Sequence, residues 1–504
     1  MQEYEKTTAK RTFPISRNMG NANGLIHFKE ALWGLVLAIV LSSIDQNIVS
    51  TALPHIAQVL GGLPQISWVV TAFLLSSTVS MPIYGKLSDM HGRRSMFMIS
   101  ISIFLLASAL CGLATSMNQL IAFRAMQGLG AGGLSTLSQS AIGDLVGPRE
   151  RGRYQGLFSG AAAVCTVTGP LLGGMLITVA SWRWIFFASL PVGLISLVLI
   201  VLFLPAPAVR RAHRIDYVGM LLLIVSVCAA MLFLNGVGGQ LAGAILNPWI
   251  TALIAICFSA AFLLWERRAT EPIITVGLFR NRTFAVAVAA AGMMTFAMQA
   301  AMVFLPLYFQ LVLGKTPAES GLMLVPQIVG MIVSSTYGGR LSSASGNFKS
   351  FFLLGVGLEA TALALLGVSS LVGAGVVPFL SALAVLGLGT GLGMPNAIVL
   401  VQNSVAPEKL GMATGSMSFV RSLSGAIGVA LSGFVMRLML ESGHTSSAFI
   451  RFFHDETGNT VISGTGSQTV DALRLAIAAS FVLGGVMMVA AFATATRVSA
   501  LEAP

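Results

Sequence analysis

Residues 31–53 read ALWGLVLAIVLSSIDQNIVSTAL, a mostly apolar stretch with a single acidic residue, Asp45, inside it. A helix of about 20 apolar residues crosses a bilayer core. Comparable stretches recur along the chain, in which hydrophobic residues make up 55% and charged residues only 9%. A soluble protein of this length needs a far more charged surface. Backbone groups in lipid must be satisfied within their own segment, so the sequence predicts an all-α polytopic membrane protein.

The lengths of the apolar stretches and the polar breaks between them predict about 14 transmembrane helices. The predicted spans are 31–53, 67–85, 95–115, 119–141, 154–178, 183–204, 216–236, 249–266, 283–312, 320–340, 350–371, 376–403, 412–440 and 472–496.

The basic residues predict the orientation of these helices, because Lys and Arg concentrate in cytoplasmic links. Most of the 29 basic residues lie in the amino-terminal tail, in alternate links and in the carboxy-terminal tail. This alternation places both termini in the cytoplasm and explains the net charge of +11, so a nucleic-acid partner is not needed. The first 30 residues lack a signal peptide and are predicted to form a cytoplasmic tail.

The sequence carries few signs of bound groups or of enzyme chemistry. The four cysteines lie inside apolar spans and are predicted to be free buried thiols, and the histidines show no metal-ligand spacing. No P-loop of the form GxxxxGK[ST] occurs, so ATP is not predicted as the energy source. We therefore expect a non-enzyme without cofactor or metal.

Two predicted links repeat each other at an offset of 254 residues. The first begins at Gly85 as GKLSDMHGRR, and the second begins at Gly339 as GRLSSASG. Each follows the second helix of its half. Internal repeats are typical of transporter folds, in which the substrate site lies between the repeats.

The chain resembles the 14-helix drug:proton antiporter family of the major facilitator superfamily over about residues 31–497. The resemblance departs from the family pattern at Cys165, where a glycine is usual, and at Ser189, where an asparagine is usual. The matching segments are Ser43–Asp45 with Leu53–Pro54, Gly85–Arg94, Arg124–Ala131, Gly156 with Gly169–Gly174, Trp182–Phe186 with Pro191–Gly193, Leu278–Phe284, Leu305–Gln310 and Gly387–Pro395.

This resemblance implies two six-helix bundles, residues 31–205 and 271–497, joined by an inserted helix pair in 206–270, with short tails at 1–30 and 498–504. It also implies alternating access and proton-driven export of amphipathic, often cationic, drugs or biocides across the cytoplasmic (inner) membrane. Short loops favour a monomer, and the need for a periplasmic adaptor stays open. An exporter of one endogenous lipid, siderophore or metabolite is the alternative.

Three charged residues inside predicted spans are candidates for coupling protons to substrate. A charged carboxylate in the bilayer centre costs about 2.5–3.5 kcal/mol on insertion scales, so Asp45 in the first helix is predicted to exchange a proton for a cation. Glu359 in the eleventh helix is predicted to be a second such acid, with simple cross-helix pairing as the alternative. Arg124 in the fourth helix needs a partner, and Asp45 is the one we expect, either in a pair that switches as protons bind or in a purely structural bridge.

Other motif residues are predicted to have a conformational role rather than a catalytic one. By the resemblance, Gly85, Asp89, Gly92 and Arg93 form a conformational gate on the cytoplasmic side. Because the second copy has Ser343 in place of Asp89, we expect a one-sided gate. The antiporter motif comprises Gly169, Pro170, Gly173 and Gly174, and the side chains expected to line the cavity are Gln127, Met298, Tyr308 and Gln310.

An uptake symporter and a non-transporting membrane sensor or lipid-modifying enzyme are the other functions compatible with a polytopic chain. The antiporter motif disfavours the symporter. The internal repeat and the embedded Asp45 disfavour a sensor or an enzyme.

Overall fold

The computed structural model describes residues 22–61, 65–205, 216–237, 247–269, 271–442 and 467–496. Within these ranges the chain folds into fourteen long helices. They are α1 (Ala22–Leu60), α2 (Ile66–His91), α3 (Arg93–Leu113), α4 (Met117–Leu145), α5 (Arg151–Val179), α6 (Ser189–Phe203), α7 (Tyr217–Val237), α8 (Pro248–Glu266), α9 (Arg282–Leu311), α10 (Val325–Ser345), α11 (Phe348–Leu371), α12 (Val376–Asn403), α13 (Leu410–Ser442) and α14 (Ser467–Ala495).

The predicted all-α membrane architecture is confirmed. In the described part of the chain, 13 helices are long and apolar enough to cross a membrane. The remaining long helix, α4, carries Arg124, Gln127 and Asp144 together with several glycines, which make it more polar than its neighbours. It packs between α2 and α3, so its polar side chains lie among other helices.

The structure corrects several predicted boundaries. The motif that begins at Gly85 was predicted to be a link, but it forms the last turns of α2, and only Gly92 separates α2 from α3. The segment 183–204 is divided at Ala188, where a short helical turn ends and α6 begins. Helix α1 begins at Ala22, inside the predicted tail. Most of the predicted outer link 441–471 lies outside the described residues.

The helix contacts follow the same pattern in the two halves of the chain. In α1–α6, the main contacts pair α2 with α4, α3 with α4, α1 with α5 and α1 with α6. The corresponding contacts in α9–α14 pair α10 with α12, α11 with α12, α9 with α13 and α9 with α14. We call α1–α6 the amino-terminal bundle and α9–α14 the carboxy-terminal bundle. The exact domain boundaries at residues 205 and 270 stay a prediction.

Two reciprocal contacts join the bundles. The second helix of each half packs against the fifth helix of the other half, so that α2 contacts α13 and α5 contacts α10. Helices α7 and α8 pack against each other, and α7 also contacts α2 and α13. Both reciprocal contacts involve the helix ends next to the basic links, which we call the basic face.

Glycines set the distance between helices where backbones meet. A Cβ on Gly85 of α2 would lie 2.5 Å from the carbonyl oxygen of Gly411 and 3.1 Å from the Cα of Gly415, both in α13. In lipid, helix association depends on such close van der Waals packing of small residues. These glycines therefore let α2 and α13 touch backbone to backbone at the basic face.

Candidate functional site

The charged centre of the amino-terminal bundle is a buried ion pair between α1 and α4. The Arg124 Nη1 atom lies 2.6 Å from the Asp45 Oδ2 atom, and each side chain is 1% exposed. Gln127, one turn further along α4, donates from Nε2 to Asp45 Oδ1 at 2.8 Å and accepts from Arg124 at 2.8 Å. Both carboxylate oxygens of Asp45 are therefore bonded, and the predicted partnership with Arg124 is present in the structure.

Two serines extend this network and were not predicted. Ser108 of α3 accepts a hydrogen bond from Gln127 Nε2 at 3.2 Å and lies 2.7 Å from the hydroxyl oxygen of Ser189 at the start of α6. Ser189 occupies the position where the resembled family has an asparagine, and this departure was the signal available in the sequence. The network thus ties α1, α3, α4 and α6 around one carboxylate.

An aromatic ring lies against the guanidinium group. The Arg124 carbon Cζ is 4.1 Å from the ring centroid of Phe73 in α2, a cation–π distance. The ring is 3% exposed. Arg124 is therefore stabilised by a carboxylate, an amide and an aromatic face together, as a cation in a membrane interior requires.

Glu359 lies in the carboxy-terminal bundle and has a different environment. Its side chain is fully buried, and neither carboxyl oxygen has a hydrogen-bond partner in the described part of the chain. Helix α12 approaches closely, since a Cβ on Gly389 would lie 2.7 Å from the Glu359 backbone nitrogen. The expected alternative of cross-helix pairing for Glu359 is therefore absent among the described residues.

The predicted gate residues meet at the basic face. Asp89 accepts hydrogen bonds from the backbone nitrogens of Gly411 and Met412, at 2.9 and 2.7 Å, in the first turn of α13. The Arg93 Nη2 atom lies 2.6 Å from Asp89, and the Arg93 Nε atom lies 2.8 Å from Asp144. A carboxylate at a helix amino terminus is stabilised by the helix dipole. Asp89 therefore joins the amino-terminal bundle to the carboxy-terminal one.

The prediction of a one-sided gate is wrong. The hydroxyl of Ser343, near the end of α10, accepts a hydrogen bond of 2.8 Å from the backbone nitrogen of Arg153 in the first turn of α5. Ser343 thus contacts the first turn of α5 as Asp89 contacts that of α13, but with one hydrogen bond to a neutral acceptor in place of two to a charged one. The sequence showed the substitution, but the contact appears only when α10 and α5 are packed together.

The antiporter motif lies where α5 packs on α1. A Cβ on Gly169 would lie 2.7 Å from the Cβ of Asn47, two residues beyond Asp45. Pro170 is inside α5. Gly173 is buried, whereas Gly174 is exposed. The motif thus fixes a close helix contact beside the charged centre.

Two of the four side chains expected to line a cavity do not do so in the structure. Gln127 is fully buried in the Asp45 network, and Tyr308 is fully buried with its ring 4.7 Å from that of Phe379. Gln127 is packed inside the amino-terminal bundle, and Tyr308 is packed inside the carboxy-terminal bundle. Met298 and Gln310 are half-buried, and their lining role stays a prediction.

Comparison with known proteins matches this chain to one superfamily profile and to multidrug transporters. The profile of the Major Facilitator Superfamily matches residues 35–429. The chain is 36% identical to the multidrug transporter protein MdtP of Bacillus subtilis over 406 residues, which cover 80% of this chain and 74% of that one. It is 34% identical to multidrug resistance protein 3 of the same organism, over 81% of this chain and 79% of that one.

Solved structures share the fold at low sequence identity. The proton:xylose symporter XylE superposes with a TM-score of 0.61 at 14% identity, over 92% of this chain and 95% of that one. The human organic anion transporter MFSD10 gives a TM-score of 0.60 at 16% identity, over 91% of this chain and 99% of that one. At such identities the likeness concerns the fold alone.

Proposed function

This chain belongs to the major facilitator superfamily, and we propose that it exports amphipathic, often cationic, drugs or biocides in exchange for protons. Its multidrug transporter relatives place it among drug efflux transporters at the family level, and it is a transporter rather than an enzyme. We further propose that it works in the cytoplasmic (inner) membrane, with both termini in the cytoplasm and with the proton gradient as its energy source.

The buried pair of Asp45 and Arg124 is the observation that carries this proposal. A buried charge that loses its partner is strongly destabilised, typically by about 3–5 kcal/mol. If Arg124 moves away from Asp45, the carboxylate therefore needs a proton or a cationic substrate in its place. Each opened pair binds one proton at Asp45. This proton is released when a cation or Arg124 returns to Asp45, so that the cycle exchanges a proton for a cation.

Glu359 extends the proposal to a second acid. An ionised carboxylate without a hydrogen-bond partner is costly in an apolar interior. We propose that Glu359 carries a proton in the packing described here and releases it during the transport cycle. Loss of this acid should then change the number of protons exchanged per substrate without removing transport.

The contacts at the basic face suit alternating access. Asp89 and Ser343 each bind the start of a helix in the opposite bundle, so both contacts must break before this side of the molecule can open. The energy of these contacts is small beside the packing within each bundle. The bundles can therefore move as bodies while each keeps its own core.

The test is transport in vesicles with an imposed pH gradient. Purified protein is reconstituted, ethidium is added, and its movement is followed together with internal pH for wild type and for Asp45→Asn. We expect wild type to couple ethidium movement to opposite proton movement and Asp45→Asn to lose this coupling while remaining folded. Glu408→Gln, which removes an exposed acid at the basic face, is the matched control.

Full coupling in Asp45→Asn would refute the role of the ion pair. Absence of ethidium movement by folded wild type would instead favour the alternative, a dedicated exporter of one endogenous lipid, siderophore or metabolite. A screen of candidate substrates against the same pH gradient would follow.

A further inference from the structure

A long apolar groove lies on the flank of the amino-terminal bundle, outside the charged centre. Its volume is about 820 Å³, within the range of about 300–1,000 Å³ that is usual for small-molecule sites. Along α2 its wall runs from Trp68 to His91, or about 35 Å at roughly 1.5 Å per residue, close to a bilayer core of about 30 Å. None of its lining side chains belongs to α9–α14, so within the described residues the groove is separate from the boundary between the bundles.

Helix α7 of the inserted pair forms one side of this groove. Leu223 of α7 lies in one buried cluster with Val79 of α2, and this packing holds α7 against the amino-terminal bundle. The adjoining stripe of Met220, Ile224 and Cys228 recurs every four residues and lines the groove. The inserted pair therefore turns the flank of the bundle into a concave site.

The groove opens toward the lipid-facing surface. Ile99 of α3 and Leu129 of α4 line it and are 47% and 42% exposed. The wall stays apolar where serines contribute to it, because the hydroxyls of Ser76 and Ser80 donate to carbonyl oxygens of their own helix at 2.9 Å. A molecule dissolved in the bilayer can therefore enter the groove from the side and keep its apolar part away from water.

The end of the groove at the basic face carries an acid without a basic partner. A smaller cavity adjoins the groove there and shares three apolar side chains with it. Asp216, Glu271 and Lys86 line this smaller cavity, and the Lys86 Nζ atom lies 2.6 Å from the Glu271 Oε2 atom. Asp216 forms no ion pair among the described residues, and it accepts a hydrogen bond of 2.9 Å from the backbone nitrogen of Gly219. It lies four residues before Met220, in line with the groove-lining stripe of α7.

Neighbouring groups leave the charge of Asp216 in place. The Trp265 Nε1 atom donates to the Asp216 carboxylate, at 3.0 Å from both of its oxygens, without neutralising it. Glu266 is a further acid at this end and is 3% exposed. Its Oε1 atom accepts from the backbone nitrogen of Ile273 at 3.1 Å, whereas its Oε2 atom has no hydrogen-bond partner in the described part of the chain.

The basic side chains nearby do not reverse this balance. Lys86 is engaged by Glu271. Arg267 and Arg268, which follow α8, are exposed and line neither cavity. His91 lines the groove and counts as neutral at pH 7. The groove is therefore apolar along its length and negative at one end.

We infer that this groove binds amphipathic cations, with the apolar part of the molecule between α2 and α7 and its ammonium group at Asp216. Burial of the apolar part contributes about 25 cal/mol per Å². A phospholipid phosphate in the same place would bring a second negative charge to Asp216, so a cation is the favoured occupant. The inference rests on the proposed function, because these cations are its proposed substrates, and it adds a binding site outside the two bundles.

Photolabelling with three probes tests this inference. The probes share one alkyl chain that carries a diazirine, and they end in an ammonium group, a hydroxyl group or a carboxylate. Full-length protein in lipid vesicles is titrated with each probe and irradiated, and the labelled peptides are identified and quantified by mass spectrometry.

Two variants and one control accompany wild type. Asp216→Asn removes the charge but keeps the helix cap, since Asn and Asp are about equally good at this position. Ile224→Trp fills the groove from α7, where Ile224 is 37% exposed. Glu408→Gln is the matched control, because it removes an exposed acid at the basic face that lines neither cavity.

We expect the ammonium probe to label α2 and α7 of wild type at lower concentration than the other two probes. Asp216→Asn should weaken this labelling by about 3- to 10-fold, the effect of one half-buried ion pair, and leave labelling by the hydroxyl probe unchanged. Ile224→Trp should reduce the labelling of α2 and α7 by both probes, and Glu408→Gln should match wild type. Equal labelling of wild type by the ammonium and hydroxyl probes would overturn the inference and would show a groove for lipid chains of any charge. Unchanged ammonium labelling in Asp216→Asn would also overturn it.

Transport of the ammonium probe in the same vesicles separates this inference from the proposed function. If wild type does not exchange the probe for protons but its labelling still depends on Asp216, the export proposal fails and the groove site stands. If wild type exports the probe but the label lies outside α2 and α7, export stands and the groove site fails.

Discussion

The substitution Asp89→Asn should open the basic face. Asp89 holds two backbone nitrogens at the start of α13, and hydrogen bonds to a charged group contribute about 1.5–3 kcal/mol each. Asparagine keeps one acceptor oxygen, so it loses one of these bonds, together with about 0.3–1 kcal/mol of interaction with the helix dipole. The total of about 2–4 kcal/mol corresponds to a shift of roughly 30- to 700-fold toward the open state.

The assay measures a distance across the basic face that is remote from the substitution. Spin labels are attached at Arg149, in the link before α5, and at Ser350, in the first turn of α11, both of which are exposed. The labels are placed in a variant that lacks the four native cysteines. Electron–electron double resonance in lipid nanodiscs then gives the distance distribution. We expect one short distance in wild type and an added, longer distance in Asp89→Asn.

The control for this experiment is Glu408→Gln, which removes an exposed acid just before α13 and should leave the distribution unchanged. A distribution in Asp89→Asn that matches both wild type and Glu408→Gln would refute the reasoning. The bundles would then be held closed by helix packing alone, and the carboxylate would serve only as a cap for α13.

Three further substitutions give graded outcomes. Ser343→Ala removes one neutral hydrogen bond of about 0.5–1.5 kcal/mol, so the same labels should show a shift of roughly 2- to 13-fold, smaller than for Asp89→Asn. Gly156→Val places a side chain against the backbone of Ser335 and should separate α5 from α10, which the same distance measurement would show as a loss of the short distance. Phe73→Leu removes the ring beside Arg124 and should lower the thermal unfolding midpoint while keeping ethidium transport measurable; an unchanged midpoint would show that the ring adds nothing.

The sequence was sufficient for the helix count, the family and the charged centre. Helix number follows from the lengths of apolar segments, which lipid imposes directly on the sequence. The pairing of Asp45 with Arg124 was expected because few partners are available to a charge in the membrane interior. The end of α12 at Asn403 was also predicted correctly, since a Ser, Pro and charged residues follow it.

Other parts of the site could not be predicted from the sequence. Ser108 and Ser189 are ordinary small polar residues, and only the rotation of α3 and α6 brings them next to Gln127. Tyr308 was expected at a cavity as part of a surface of α9 rich in methionine and aromatic residues, but its ring packs on that of Phe379. A sequence gives the polarity of each residue, whereas its neighbours depend on the rotation and register of every helix.

The sequence by itself determined that this protein crosses the membrane many times, that it repeats a motif in two halves and that Asp45 and Arg124 need each other. Tertiary structure alone decided that both copies of the motif join the bundles, through Asp89 on one side and Ser343 on the other. The reason is physical: membrane insertion depends on the summed hydropathy of a segment, whereas contacts across helices depend on packing geometry.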